Sequence, residues 1–356
     1  MNNTIDNSSV KNICVLMMGL LGDVLMRTPV VRELKIIFSN AKITCIADKI
    51  GAEILSLDYD IDEIKIIERS RKNKLKYLYS KLDIQMYLLK EGFDLIIDLY
   101  GGKSSNNMMK LNFIKYKAGF VNGKPWSNVL EYKENMQEIK NPFHLTHQYF
   151  SILNFFTTEY NNSIKPVIFT KVEEDKKMKN YLESLNIIEL NKIYLVSFGS
   201  GGIEKILDLE VQCELIAYIY RKYGFVPAIV LNPGQEFLQE KSIEILKSKD
   251  IPYIQLKVLN LKEIASVMKN VKFTMVPDTG LYHMAVGISI PIFCIFTYTN
   301  PLLVFPDEGT IETCFLETEA KDVRGVSLGT SEFKLSDLTQ QMDSFLKKDP
   351  IAKLFR

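Results

Sequence analysis

Short apolar runs alternate with helical patterns along the first part of the chain. Val30, Leu34, Ile37 and Phe38 recur at i, i+4, i+7 and i+8, which is one face of a helix. Continuously apolar runs rich in Ile and Val lie on both sides of that helix and beyond it, and each predicts a buried strand. They cover residues 12–18, 42–48, 63–68, 93–100 and 116–121. Buried strands separated by helices predict a parallel sheet that is covered on both faces.

The same alternation begins again after a polar stretch between Thr157 and Asn191. Five more strands are predicted at residues 191–200, 225–232, 251–256, 271–278 and 290–296, and an amphipathic helix near 336–347. The pattern predicts an α/β protein with two Rossmann-like domains whose parallel sheets face each other across a cleft. The expected domains are residues 1–165 and 166–356, and the last helix could pack back on the first domain. Ligands of such sheets bind beyond the carboxyl ends of the strands.

Composition narrows the class of protein. The chain has 356 residues, 47% of them apolar and 24% charged, with a formal net charge of +1. A globular, soluble protein is expected, without a global positive field for nucleic acid. The apolar run 13–26 is interrupted by Asp23 and is too short to span a membrane. The five cysteines are scattered without a CxxC pair, so we expect no zinc site and a reducing cytoplasm as location.

The loop "MGLLGDVLMRTP", residues 18–29, follows the first predicted strand. Gly19 and Gly22 permit a tight turn and the close approach of a ligand. Asp23 lies at the start of the next helix, where it could cap free amides or act as a general base. The glycine spacing is not GxGxxG, which makes a dinucleotide site a weak hypothesis.

The stretch "VPDTGLYH", residues 276–283, joins a buried strand to a helix. Asp278, Thr279 and Gly280 lie at the junction, where free N–H groups and the positive end of the helix dipole attract anions. His283 follows one turn later. The plainer interpretations are an ordinary helix cap and a half-buried helix histidine.

Two further loops carry candidate ligand-binding groups. The glycine- and serine-rich "SFGSGGIEK", residues 197–205, is not a Walker motif, but its bare amides and Lys205 suit a diphosphate. The alternative is a flexible loop with a solvated lysine. Glu236 in "LNPGQE" could bind a ribose or belong to a turn.

Two remaining features are weaker indications of function. The tract 69–81 contains six basic residues and no acidic one, which is typical of a solvated face but would also suit an anionic membrane surface. In "HLTH", residues 144–147, the two histidines have helical i, i+3 spacing. No third ligand lies nearby, so we expect no metal site there.

Taken together and in this order, the motifs resemble those of glycosyltransferase family 9, the ADP-heptose:lipopolysaccharide heptosyltransferases. The family's first motif is similar to "GLLGDVLMRTP", in which Leu20 replaces a serine, and its last is similar to "DTGLYHMAVGISIPIF". Lys205 matches the lysine of the family's central loop, although Leu207 and Asp208 replace its Trp-Pro. "HLTHQYFSILNFF" resembles the helix that enters the domain crossover, with His144 at the family's histidine.

The resemblance implies a GT-B fold and a metal-independent, inverting transfer without a cofactor. It implies that Asp23 is the general base on the acceptor hydroxyl, next to the acceptor-side loop of Gly19 and Gly22. The donor diphosphate would be held by residues from two loops, and its sugar and ribose by two carboxylates. The implied diphosphate ligands are Lys205, Thr279, Gly280, Leu281 and His283, with Asp278 on the sugar and Glu236 on the ribose.

The expected partners are a nucleotide-sugar donor, most simply ADP-heptose, and a glycan or lipid-linked glycan acceptor such as lipopolysaccharide core. Peripheral contact with the inner membrane is compatible with the basic tract. Two other functions stay open. One is a GT-B nucleotide-sugar epimerase or hydrolase, which would keep the diphosphate site but would not need an acceptor base. The other is a non-catalytic nucleotide-sugar-binding protein.

Overall fold

The computed structural model describes residues 5–68, 74–110, 113–133, 141–161, 163–185, 190–306 and 311–348. The chain divides into two compact units, Met1–Val167 and Ile168–Arg356, called the first and the second unit below. Residues 69–73, the start of the basic tract, lie outside the described residues.

The first unit alternates strands and helices. Its elements are β1 (Asn12–Leu16), α1 (Leu21–Ile37), β2 (Lys42–Ala47), α2 (Lys49–Leu55), β3 (Glu63–Ile66), α3 (Lys74–Lys90), β4 (Leu95–Asp98), α4 (Lys103–Lys110), β5 (Tyr116–Val121), β6 (Lys124–Ser127) and α5 (Leu145–Phe150). The sheet order is β3-β2-β1-β4-β5-β6, and every pair is parallel except β5 with β6. The strand order reverses between β1 and β4, so the loops after these strands flank the crevice where α/β sheets bind ligands.

The second unit repeats the arrangement. Its elements are α6 (Val172–Ser184), β7 (Ile193–Val196), α7 (Leu209–Tyr223), β8 (Val226–Ile229), α8 (Glu236–Ser248), β9 (Ile254–Gln255), α9 (Leu261–Lys269), β10 (Thr274–Pro277), α10 (Gly280–Ile288), β11 (Ile292–Phe296), β12 (Ile311–Phe315), β13 (Glu317–Lys321), β14 (Ser327–Gly329) and α11 (Leu335–Lys347). The parallel sheet has the order β12-β11-β10-β7-β8-β9, while β13 and β14 form a separate antiparallel pair. Here the strand order reverses between β7 and β10.

All ten strands predicted from the sequence are present, with trimmed ends, and both large sheets are parallel apart from β6. The sequence analysis missed β6, β12, β13 and β14. The hairpin of β5 and β6 turns at Asn122 and Gly123, whose φ angles are 50° and 75°. An Asn-Gly pair with two positive φ angles is the usual signal of a two-residue hairpin, so β6 could have been predicted.

The last helix packs within the second unit. Leu338, Met342 and Phe345 of α11 are completely buried in the same hydrophobic cluster as Phe273 and Phe293. The apolar face of α11 therefore packs beside α7 in the core of the second unit. A contact of this helix with the first domain stays a prediction.

Candidate active site

The loop after β1 bends back on itself at Gly19. Its φ angle is +145°, and a Cβ atom at this position would lie 3.1 Å from Nη1 of Arg27 and 3.4 Å from Cβ of Asp23. Glycine is therefore required both for the backbone conformation and for the close approach of these two side chains. The helix α1 then begins at Leu21, with the exposed Leu20 in the cap position.

Asp23 is the third residue of α1 and is half-buried. The interpretation of Asp23 as the N-cap is wrong, because Leu20 occupies that position and has no side-chain hydrogen bond to offer. In the part of the chain that the structure describes, the Asp23 carboxylate forms no hydrogen bond or ion pair. Its oxygens can therefore accept a proton from a bound molecule. Gly22, which precedes it, is half-buried in the same first turn.

Arg27 lies one turn further along α1 and was not recognised from the sequence. Its side chain is buried, its Nη1 donates to the Met18 carbonyl at 2.7 Å, and its Nη2 donates to the Tyr149 hydroxyl at 3.3 Å. The guanidinium carbon lies 5.0 Å from the ring centre of Tyr149 and 6.0 Å from that of Tyr100. Arg27 thus ties the glycine loop to α1 and to α5. A cation inside the apolar run "VLMRTPVV" was the available sequence signal.

Asp98 ends β4 on the other side of the point where the strand order reverses. It is buried, and its Oδ1 accepts from the amides of Tyr100 and Gly101, both at 3.0 Å. Burial raises the pKa of Asp98, and the charge of Arg27 opposes that increase. The carboxylate therefore fixes the loop after β4 in place beside the loop that carries Asp23.

The "HLTH" segment has a structural role. His144 caps α5, and its Nδ1 accepts from the amide of Thr146 at 3.1 Å. Burial lowers the pKa of His147. Among the residues that the structure describes, no group of three or more His, Cys, Asp or Glu side chains is arranged to hold a metal ion.

In the second unit, an ion pair joins the loops after β7 and β10. Lys205 Nζ lies 2.6 Å from Oδ2 of Asp278. The Asp278 side chain is only 6% exposed, whereas that of Lys205 is 29% exposed. The two strands are far apart in sequence but adjacent in the sheet, and the pair lies where the strand order reverses. The sequence analysis selected both residues, but not their contact.

Hydrogen bonds connect the glycine- and serine-rich loop with Asp278 and with the loop after β8. The Ser200 hydroxyl donates to the Asp278 carbonyl at 2.5 Å, and Gln235 Nε2 donates to the Ser200 carbonyl at 2.8 Å. A Cβ atom at Gly199 would lie 2.2 Å from side-chain atoms of both Asn232 and Gln235. The Lys205 side chain at the end of this loop is paired with Asp278 and is only partly exposed, which differs from the fully solvated lysine of the alternative interpretation. The contacts of Asn232 and Gln235 with this loop were missed because both residues come from the loop after β8, about 35 residues further along the chain.

The helix α10 begins directly after the ion pair. Thr279 is its N-cap, and the Thr279 side chain makes no capping hydrogen bond to the amides that follow. Gly280 and Leu281 are the first two helical residues, so their N–H groups have no acceptor inside the helix. His283 is 6% exposed, and its ring centre lies 5.1 Å from that of Tyr282. Lys205, Asp278 and the N-terminus of α10 therefore lie together at this end of the sheet, where the lysine and the helix dipole are the positive groups and Asp278 offsets the charge of the lysine.

Glu236 begins α8 at the end of the neighbouring strand. It is exposed, and its Oε1 accepts from the amide of Gly234 at 2.9 Å. Hydrogen bonds from the Gly234 amide and from its own amide lower its pKa. The turn interpretation is thus observed, while binding to a ribose stays a prediction. Lys205, Asp278 and the start of α10 lie together in the second unit, and Asp23, Gly19 and Gly22 lie together in the first.

Comparisons with known proteins identify the family and the fold. The family model described as glycosyltransferase family 9 (heptosyltransferase) matches residues 83–327. A family 9 glycosyltransferase from Veillonella parvula has a TM-score of 0.76 at 17% identity, over 97% of this chain and 99% of that one. The E. coli ADP-heptose lps heptosyltransferase II has a TM-score of 0.72 at 13% identity, over 94% of this chain and 98% of that one. E. coli heptosyltransferase WaaC with ADP has a TM-score of 0.66 at 14% identity, over 94% of this chain and 99% of that one. No curated protein sequence matches.

Proposed function

This chain belongs to glycosyltransferase family 9, the heptosyltransferases, with their GT-B fold, and we propose that it transfers heptose from ADP-heptose to a glycan hydroxyl such as one of lipopolysaccharide core. E. coli heptosyltransferase WaaC has been solved with ADP, which supports an adenine nucleotide as the leaving group. The observation that carries the proposal is the Lys205–Asp278 pair beside the uncapped start of α10.

The proposed donor site lies in the second unit. Lys205 and the amides of Thr279, Gly280 and Leu281 bind the diphosphate, with His283 next to them, because a cation and free helix amides stabilise phosphate charge. Asp278 contacts the donor sugar. It is already hydrogen-bonded to Lys205, so one carboxylate connects the sugar site with the phosphate site.

Glu236 is the proposed ribose ligand. Its carboxylate accepts from the Gly234 amide and is exposed, so a ribose hydroxyl can approach it. The carboxylate lies at the end of the strand next to β7, which is the usual position of an acidic ribose ligand in Rossmann-like domains.

The reaction requires one bond to break and one to form. The bond between the anomeric carbon and the diphosphate oxygen breaks, and the leaving diphosphate keeps the electron pair. Lys205 and the start of α10 stabilise the developing charge. The acceptor oxygen attacks the opposite face of the anomeric carbon, which inverts its configuration, and its proton passes to Asp23 as general base.

The proposal includes no metal ion, because amides and a lysine supply the charge stabilisation that a metal would otherwise provide. It places the enzyme in the cytoplasm, in peripheral contact with the inner membrane, where a lipid-linked acceptor would be presented. In the described residues, no helix has the length and apolar character needed to cross a bilayer.

A thermal-shift screen against ADP-, UDP-, GDP- and CDP-sugars, followed by product analysis, tests the proposal. A donor at a hundredfold excess over its Kd stabilises the folded protein by about 2.7 kcal/mol. We expect ADP-heptose to give the largest shift and a glycosylated acceptor as product. An isomerised donor or free sugar as the only product, in the presence of acceptor, would instead identify an epimerase or a hydrolase.

A further inference from the structure

One face of α3 exposes an apolar stripe to solvent. Six large apolar side chains of this helix are each between 49% and 70% exposed. They are Leu75, Leu78, Tyr79, Leu82, Met86 and Leu89. Solitary apolar side chains are common on protein surfaces, whereas a contiguous apolar patch marks an interaction surface.

The stripe is continuous and lies opposite the buried side of α3. At 100° per residue, the six positions fall within an arc of about 100°. Ile84 and Leu88, which are buried in the first unit's core, lie on the other side of the helix. The helix is therefore apolar on two opposite faces, and within the described residues only the face with Ile84 and Leu88 is buried against the fold.

The charges around this stripe are mostly positive. The segment 74–90 contains four lysines and one acidic residue, Asp83, which is paired with Lys65 at 2.9 Å, while Lys76 of the same segment is paired with Glu68 at 3.1 Å. The sequence directly before the helix adds Arg69, Arg71 and Lys72. The whole chain has a formal net charge of only +1, so this segment is much more basic than the remainder.

We propose that the exposed face of α3 docks onto a bilayer that contains anionic phospholipids. The six apolar side chains would enter the boundary between headgroups and acyl chains, and the lysines would lie at the phosphates. Amphipathic helices with basic residues bind membrane surfaces in this way, through buried apolar area and attraction to anionic lipids. The inference goes beyond electrostatic attachment by the basic tract, because it assigns the insertion to six named side chains.

A second copy of the chain fits this face less well than a bilayer does. A two-fold interface through α3 would bring the same basic segment of both copies together, and like charges repel. An anionic bilayer instead offers negative phosphates to the basic residues and an apolar interior to the six apolar side chains. Docking through α3 is independent of the donor site, so its failure and the failure of the proposed transfer can be distinguished.

Vesicle co-sedimentation of the full chain tests the inference. The variant carries Leu78→Gln, Leu82→Gln and Met86→Gln, which keep the helix propensity and the charge. We expect the parent protein to bind phosphatidylcholine–phosphatidylglycerol vesicles. The variant should bind at least about tenfold more weakly, because the transfer of one large apolar side chain out of water already strengthens binding by about that factor. High salt should weaken the binding of the parent without abolishing it, since only the charge component is screened.

The matched control replaces three exposed apolar residues elsewhere, with Ile36→Gln, Ile50→Gln and Val172→Gln, and should bind like the parent. A second variant, Lys76→Gln with Lys90→Gln, should weaken binding to the mixed vesicles but not to pure phosphatidylcholine. It keeps the test decisive if the triple variant unfolds. Equal binding of parent and α3 variants overturns the inference. So does a parent dimer in light scattering that the triple variant converts to a monomer, because a second copy would then cover α3.

Discussion

Replacing Lys205 with methionine should weaken nucleotide binding and destabilise the second unit at the same time. The lysine lies 2.6 Å from Asp278, whose side chain is 6% exposed, so its removal leaves a buried carboxylate without its cation. A hydrogen bond between charged groups contributes about 1.5–3 kcal/mol. We therefore expect the free energy of unfolding to fall by about that amount. Methionine retains most of the side-chain volume, so the loss reports mainly on charge.

The same charge is proposed to bind the diphosphate. If Lys205 makes one charged hydrogen bond to ADP, its loss should raise the Kd about 10- to 150-fold, which is 1.5–3 kcal/mol expressed as affinity. Isothermal titration of ADP, well below the melting temperature of the variant, measures this effect on the folded protein. Thermal and urea unfolding without nucleotide measure the effect on stability separately.

Asp278→Asn is the control that separates the two roles of the pair. It frees the ammonium group of Lys205 from its carboxylate, so ADP should bind at least as tightly as to the parent protein. The nucleotide sugar should lose affinity relative to ADP, because Asp278 is the proposed sugar ligand. If the ADP Kd of Lys205→Met lies within about threefold of the parent value, the change is smaller than the effect of one charged hydrogen bond. That result would refute Lys205 as a diphosphate ligand, and the Lys205–Asp278 pair would then have a structural role only.

Three further predictions follow from the structure. Arg27→Met should lower the free energy of unfolding by about 1–3 kcal/mol in urea titrations, because the Met18 carbonyl loses its buried donor; an unchanged midpoint would contradict this. Burial raises the pKa of Asp58 to about 7, so its contribution to stability is complete below pH 4 and is lost as the pH rises to 7. Asp58→Asn should therefore gain stability relative to the parent between pH 4 and pH 8, by at most about 4 kcal/mol, and a pH-independent difference would disprove the shift. Transfer activity should survive EDTA, whereas a loss that only a divalent ion restores would show that the site uses a metal.

The two sheets could be predicted because parallel strands are buried on both faces. Such strands, for example β1 and β11, are continuous apolar runs that need no alternation to be recognised. The missed strands lie at sheet edges or outside the large sheets, where polar residues are tolerated. β13, "ETEAK", has one apolar residue in five, and the apolar run of β12, "IETCF", is interrupted by Glu and Thr, so neither segment is the continuous apolar run that identifies a buried strand.

The candidate site was predicted as separate motifs and not as contacts. Lys205 and Asp278 were selected because each follows a strand, but their pairing depends on β7 lying next to β10, which is a property of the sheet order. Arg27 and Asp98 were missed for the same reason. A charged residue in an apolar segment gives no indication of its partner until the fold brings the two loops together.

Steady-state kinetics of Asp23→Asn, combined with titration of the donor, test the central claim most directly. Asparagine keeps the shape of the side chain but cannot accept the acceptor proton. With ADP-heptose as donor and lipopolysaccharide core as acceptor, kcat should fall by roughly 10²–10⁴-fold, the usual contribution of general-base catalysis. The donor Kd and the melting temperature should be unchanged, since Asp23 belongs to the first unit and forms no hydrogen bond within the described residues. A variant that retains more than about a tenth of the parent kcat would contradict the assignment of Asp23 as the base.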